Sequence, residues 1–267
     1  MIALTHAFGL TGEPFAQDIP VDKLFALPGL SAFIDRFTFA LSLAQATVIT
    51  GEVGSGKSTS VRFATSQLHP SAYRILSVIA TTGTMLELLR QLCYAFGAPP
   101  LSNSSAKLFH TIRSLLCEVA AKKQTPVLFI DEAHLLRSEV FAQLHTLAQN
   151  NFDSKSLLPL VLSGQTSLVD KLMFPSCLPF ASRVVGLTFL KGLQRADMQG
   201  YLSHHMKIAG ASEELFSEEA VTAIHQSSGG LLRRAGNLAR GALLAAAQEK
   251  CRLVSAEHVR VASTEVF

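Results

Sequence analysis

The stretch Gly51-Glu52-Val53-Gly54-Ser55-Gly56-Lys57-Ser58 constrains this chain more than any other. A short apolar run, residues 46 to 50, precedes it. From Ser58 onward, Val61, Ala64 and Leu68 recur at helical spacing. G-x-x-x-x-G-K-[ST] set between a strand and a helix is the pattern of a loop that wraps phosphate groups. Its glycines permit positive φ angles, so the bare N–H groups of Glu52, Val53, Ser55 and their neighbours can converge on phosphate oxygens. The helix start at Ser58 and Thr59 adds partial positive charge. Lys57 supplies a full charge for the β- and γ-phosphates of ATP, and the Ser58 hydroxyl is a ligand for Mg²⁺.

A second motif supports the first. Val127-Leu128-Phe129-Ile130 runs into Asp131-Glu132-Ala133-His134. A buried strand ending in two carboxylates places both at the carboxyl edge of a sheet, where ligands of open α/β folds bind. Asp131 is expected to hold the Mg²⁺ through water, and Glu132 to polarise an attacking water.

Further apolar runs at residues 74 to 80, 157 to 163 and 183 to 188 are short and nearly unalternated, as strands covered on both faces are. Helical patterns lie between them. One, from Thr84 to Phe96, is expected to open with a Thr84–Glu87 capping box. After Thr188 only helical patterns follow, at 194 to 209, 217 to 226, 231 to 249 and 255 to 262. Alternating strands and helices predict a parallel sheet with helices on both faces. The predicted organisation is an α/β nucleotide-binding domain over 1–190, with an N-terminal segment over 1–45, and a small all-helical domain over 191–267.

Composition narrows the setting. With 267 residues, 48% hydrophobic and 16% charged, the chain can bury a core and is not disordered. Four widely spaced cysteines without a CxxC pair argue against a disulfide framework or a zinc site, and for a reducing cytoplasm. No run approaches the length of a membrane span, and no signal-peptide pattern opens the chain, so no membrane role is expected. A formal net charge of +3 permits an acidic partner without demanding one.

With both motifs in hand, the chain resembles the AAA+ ATPases, a five-stranded P-loop α/β fold with a helical lid. More narrowly it resembles the ExeA-like family, named for the secretion-pathway A protein. The likeness rests on "FGLTGEPF" (8 to 15), "GEVGSGKST", "LFIDEAHLL", "LVLSGQTSL" (160 to 168) and the stretch from 209 to 243. It implies that Gln165 is a sensor amide for the attacking water or γ-phosphate, and that Arg233 is the lid arginine that grips the γ-phosphate. The family's proline is here Leu232, and Arg234 adjoins, so the register favours Arg233 without excluding its neighbour. Arg183 stands where the family carries an arginine-rich stretch, and is the candidate arginine finger for a neighbouring subunit; a second family arginine is here Ala181. The vicinal His204 and His205 are read as ordinary surface or packing residues.

Three functions compete. The first is a helper ATPase of DNA transposition, the kind that includes Mu B and IstB: ATP-dependent rings or filaments on duplex DNA, without sequence preference, that recruit a transposase. "PFAQDIPVDKLF" resembles the short stand-alone members of that kind, and the chain is expected to lack the membrane span and peptidoglycan-binding domain of longer relatives. The second is a secretion-pathway ATPase with a membrane or secretin-assembly partner. The third is a non-catalytic nucleotide-gated switch, against which Glu132 and Gln165 argue. Lys107, Arg113, Lys122, Lys123 and Lys155 are the candidate phosphate contacts of DNA.

Overall fold

A computed structural model describes residues 2–150 and 155–264. By packing, the chain divides into two units. One comprises Gly29–Gly51 and Lys57–Leu190; the other comprises Met1–Pro28, Glu52–Gly56 and Lys191–Phe267. Residues 1–28, expected with the sheet, pack with the C-terminal helices instead, because their partners lie almost 200 residues away in sequence.

The first unit is built on a parallel sheet. Its strands among the described residues are β1 (Ala46–Gly51), β2 (Tyr73–Ile79), β3 (Thr125–Asp131), β4 (Leu160–Gly164) and β5 (Val184–Leu190), in the order β2-β3-β4-β1-β5. Helices α2 (Leu30–Ser42), α3 (Lys57–Ser66), α4 (Met85–Phe96), α5 (Ser105–Ala121), α6 (Ser138–Ala148), α7 (Ser167–Leu172) and α8 (Leu178–Ala181) connect and cover them; α1 (Ile2–Phe8) belongs to the other unit. A two-residue ribbon pairs Gln149–Asn150 with Lys155–Ser156.

The central strands β1, β3 and β4 are buried almost throughout. Val48, Leu128, Ile130 and Leu162 enter one core with Leu89, Leu92, Ile112 and Phe141 from α4, α5 and α6. Ile49, Val127, Phe129 and Val161 enter the other with Phe33 and Phe37 of α2 and Ala64 of α3. Full burial on both faces explains the unbroken apolar runs. The edge strands differ from that expectation: β2 and β5 alternate, leaving Ile79 66% and Phe189 49% exposed. An edge strand has a neighbour on one side only, and here helices cover only one of its faces.

The predicted capping box of α4 does not form. Thr84 is the N-cap but makes no side-chain bond, and the Glu87 carboxylate instead accepts from the Thr81 hydroxyl at 3.4 Å. Because all five strands are parallel, their carboxyl ends gather Gly51, Asp131 and Gly164 on one edge. That shared polarity positions the site.

In the second unit, α9 (Arg195–Ile208), α10 (Glu218–Ser228), α11 (Leu232–Gln248) and α12 (Ala256–Ser263) pack through Met198, Leu202, Val221, Ile224, Leu238, Ala242, Leu243 and Val259. The N-terminal segment lies on them. The N–H groups of Thr11 and Gly12 donate to Ala209 O at 2.8 and 3.1 Å, and Arg240 donates to Phe15 O at 3.0 Å. The Phe15 ring stacks on His205 at 5.1 Å, and Phe25 meets Tyr201 and His204 edge-on. Both histidines thus sit in packing roles.

Candidate functional site

The Gly51–Ser58 loop is shared between the units, so its parts take their neighbours from different places. Gly51, Lys57 and Ser58 belong to the α/β unit. Lys57 is only 8% exposed, and its Nζ donates to Gly51 O at 2.9 Å. Ser58 Oγ donates to Asp131 Oδ2 at 3.5 Å. A hydroxyl and a carboxylate at that spacing are two hard oxygen donors, a pair that suits Mg²⁺ with water completing the shell.

The crest of the loop, Glu52–Gly56, belongs to the helical unit. Gly54 and Gly56 take φ angles of 84° and 96°, which only glycine adopts freely. A Cβ on Gly54 would come within 2.9 Å of Arg233 Cβ, and the Arg233 N–H donates to Gly54 O at 3.4 Å. Arg233 and Arg234 are both exposed. The backbone of Arg233 is thereby the one held against the loop. Ser55 is buried, and its Oγ has no hydrogen-bond partner among the described residues.

Beyond Asp131 the chain turns sharply. Glu132 takes a φ of 52°, a left-handed conformation that costs a non-glycine residue energy and marks a constrained position. Its N–H donates to Asp131 Oδ1 at 2.9 Å, and its carboxylate is 46% exposed. Gln165 follows β4 directly, and its N–H donates to His134 Nδ1 at 3.3 Å. The sequence motif contains His134, yet sequence reasoning gave it no role. Its ring is 11% exposed, Glu132 Oε2 lies 3.4 Å from the same Nδ1, and Lys171 donates to its carbonyl oxygen and to that of Leu136.

Arg183 is not brought to this edge. Its carbonyl accepts from Ala46 N–H at the start of β1, and its guanidinium donates to Pro179 O. Of the candidate DNA contacts, Lys107, Lys122 and Lys123 are exposed, and Arg113 is half-buried with its guanidinium 6.0 Å from the Phe109 ring centre. The Lys155 side chain lies outside the described residues. A separate group, Glu249, Cys251 and His258, has metal-ligand chemistry. There Ser255 N–H donates to His258 Nδ1 at 2.9 Å, so the ring proton sits on Nε2, facing Glu249 Oε2 at 3.2 Å. That arrangement ties the α11–α12 turn together and leaves Nε2 without a lone pair for a metal.

Residues 41–172, which carry the loop, Asp131, Glu132 and Gln165, match the family model described as an AAA domain. The chain is an AAA+ protein. It is 32% identical over 245 residues to general secretion pathway protein A of Aeromonas hydrophila, a match covering 91% of this chain and 44% of that one. The AAA+ chain thus spans less than half the length of this curated relative. Its fold is similar to that of Cdc6p from Pyrobaculum aerophilum, with a TM-score of 0.75, 18% identity and coverage of 95% and 70%. It is also similar to the Aeropyrum pernix ORC1 protein solved in complex with DNA, with a TM-score of 0.69, 18% identity and coverage of 94% and 68%. The Thermotoga maritima RuvB Holliday junction branch migration motor follows at 0.56, 18% identity and coverage of 88% and 68%. Among the described residues no helix is long and apolar enough to cross a membrane.

Proposed function

We propose that this AAA+ protein hydrolyses ATP, assembles with copies of itself on duplex DNA while ATP is bound, and recruits or activates a transposase or related recombination protein. The observation that carries the ATPase reading is the convergence of Lys57, Ser58 and Asp131, with the Glu132 carboxylate next to Asp131 in the chain. In this reading the loop amides and Lys57 bind the phosphates, and Ser58 and Asp131 hold the Mg²⁺. Bound there, the ion would neutralise phosphate charge. Glu132 polarises the attacking water, the Gln165 amide orients it, and Arg233 contacts the γ-phosphate. Arg183 serves a neighbouring subunit's site.

Support for DNA is of a different kind. It comes from the basic residues at the two ends of α5, which stand about 22 Å apart along a helix with 1.5 Å rise per residue, and can follow several successive phosphates. The fold shared with a DNA-complexed neighbour is in keeping with it. A second reading, a secretion-pathway ATPase with a membrane-associated partner, is favoured by the 32% identity to general secretion pathway protein A.

The test separates them. Lys57→Ala should abolish ATP binding, whereas Glu132→Gln should bind ATP and lose turnover. Fluorescence anisotropy of a labelled duplex should show binding with a non-hydrolysable ATP analogue and release with ADP. That binding should show little sequence preference and should weaken steeply with salt, because its contacts are to phosphates. Equal, negligible binding in all nucleotide states at low salt would remove the DNA reading and leave the secretion reading ahead. Parent-rate hydrolysis by Glu132→Gln would remove the role given to Glu132.

A further inference from the structure

We infer that His134 is a positioning residue that couples the Gln165 loop to the Glu132 carboxylate through one imidazole nitrogen, Nδ1. The inference rests on the reading of Glu132 as the residue that polarises the attacking water.

The geometry is one of competition. Nδ1 has the Gln165 N–H at 3.3 Å and Glu132 Oε2 at 3.4 Å. A backbone N–H can only donate, so the bond to Gln165 requires a bare lone pair on Nδ1. A bare lone pair cannot bond a carboxylate oxygen, and repels it. In the arrangement seen, the imidazole therefore holds the Gln165 loop and leaves Glu132 free, its side chain 46% exposed. Were the Gln165 N–H to withdraw, Nδ1 could carry the ring proton instead and donate it to Glu132. The carboxylate would then be held by the imidazole and be a poorer base. One nitrogen serves one partner at a time, so the position of the Gln165 loop decides whether Glu132 is available.

Three further observations fit a built device. Lys171 Nζ pins the His134 backbone by donating to His134 O and, at 3.0 Å, to Leu136 O. A Cβ on Gly164, the residue before Gln165, would lie 3.1 Å from His134 N and 3.4 Å from Nδ1, so the end of β4 and the His134 segment pack closely. Glu132 itself is held at a φ of 52°, a conformation that persists only where its surroundings impose it.

Two measurements test the coupling. The first does not depend on turnover. A long-range proton–nitrogen correlation spectrum of histidine-labelled protein, with His134 assigned by its loss in His134→Asn, should show the nucleotide-free protein with its proton on Nε2 and Nδ1 bare. A proton on Nδ1 in that state overturns the inference. The second uses isosteres. The Asn amide oxygen falls where Nδ1 sits, whereas the Gln amide falls where Nε2 sits. His134→Gln should lower kcat by about tenfold to a hundredfold, the usual effect of misplacing a reacting group by an ångström, with ATP affinity within about twofold of the parent. His134→Asn should recover most of the loss. Equal impairment of both variants, or parent activity in both, overturns the inference. If the parent protein hydrolyses no ATP, the ATPase reading falls, and the spectrum alone still decides whether Nδ1 accepts from Gln165.

Discussion

His205 lies half-buried between the rings of Phe15 and Tyr201, and its Nδ1 has no hydrogen-bond partner among the described residues. Burial, reinforced by the adjacent His204, lowers its pKa to about 4. The unfolded chain binds this proton near the ordinary histidine value of about 6.5, so the unfolded state takes up more protons between the two values. The stabilisation is therefore complete above pH 6.5 and is lost as pH falls through 4, with a loss on the order of 2 kcal/mol by pH 5. Thermal melts of the parent should drop across that window, and those of His205→Phe should drop less. Identical pH profiles would mean that His205 is not buried as described. Legibility at this scale follows sequence distance. Candidate roles for Lys57, Ser58, Asp131 and Glu132 could be drawn from the sequence because each belongs to a short motif at a strand end. The part proposed for His134 could not, because its partner Gln165 is 31 residues on and nothing local marks the pairing.

Two adjacent glycines show how tightly the helical elements are joined. Gly229 caps α10 at a φ of 61° with open space where a Cβ would stand. Gly230 has a φ of 77°, and a Cβ there would fall 2.3 Å from Leu193 O, beside the bond from Leu193 N–H to Gly230 O. Gly229→Ala should cost only the left-handed strain, about 1–2 kcal/mol. Gly230→Ala adds overpacking against backbone and should cost roughly 2–5 kcal/mol in urea melts. Equal costs would contradict the close approach of the two backbones. Strands and C-terminal helices were legible to within a few residues because burial on both faces, or on one helical stripe, writes itself into local periodicity. The edge strands β2 and β5 were read as fully covered, since a short apolar run does not reveal which strand will end at the rim. Helix α2 escaped the reading, although Phe33, Phe37 and Leu41 recur every four residues and are buried. The Thr84–Glu87 capping box was read and does not form, because Thr81 competes for the carboxylate.

Across the whole molecule, polarity of the sheet constrains how Arg183 can act. It lies beside Ala46, and Gly51 stands five residues further along β1, about 16 Å at the rise of a strand. An arginine side chain does not span that distance, so any part Arg183 takes in hydrolysis is in the site of another copy. Arg183→Ala and Lys57→Ala should each be inactive alone, and their mixture should recover measurable turnover; no recovery at any ratio would count against a shared site. The switch from strand to helical patterns after Thr188 was legible. The allegiance of residues 1–28 was not, since a bond between Thr11 and Ala209 spans 198 positions and leaves no local trace. That bond also orders events during synthesis. At about 5–20 residues per second, the ribosome needs roughly 10–40 s between making Thr11 and making its acceptor. Through that interval residues 29–190 can complete nearly all of their own unit, whereas the first segment has nothing of its own to fold against. Leu10, Phe15 and Ile19, all buried in the finished protein, must wait in water or with a chaperone until the last helices emerge. The helical unit is thus both the first to begin translation and the last to fold.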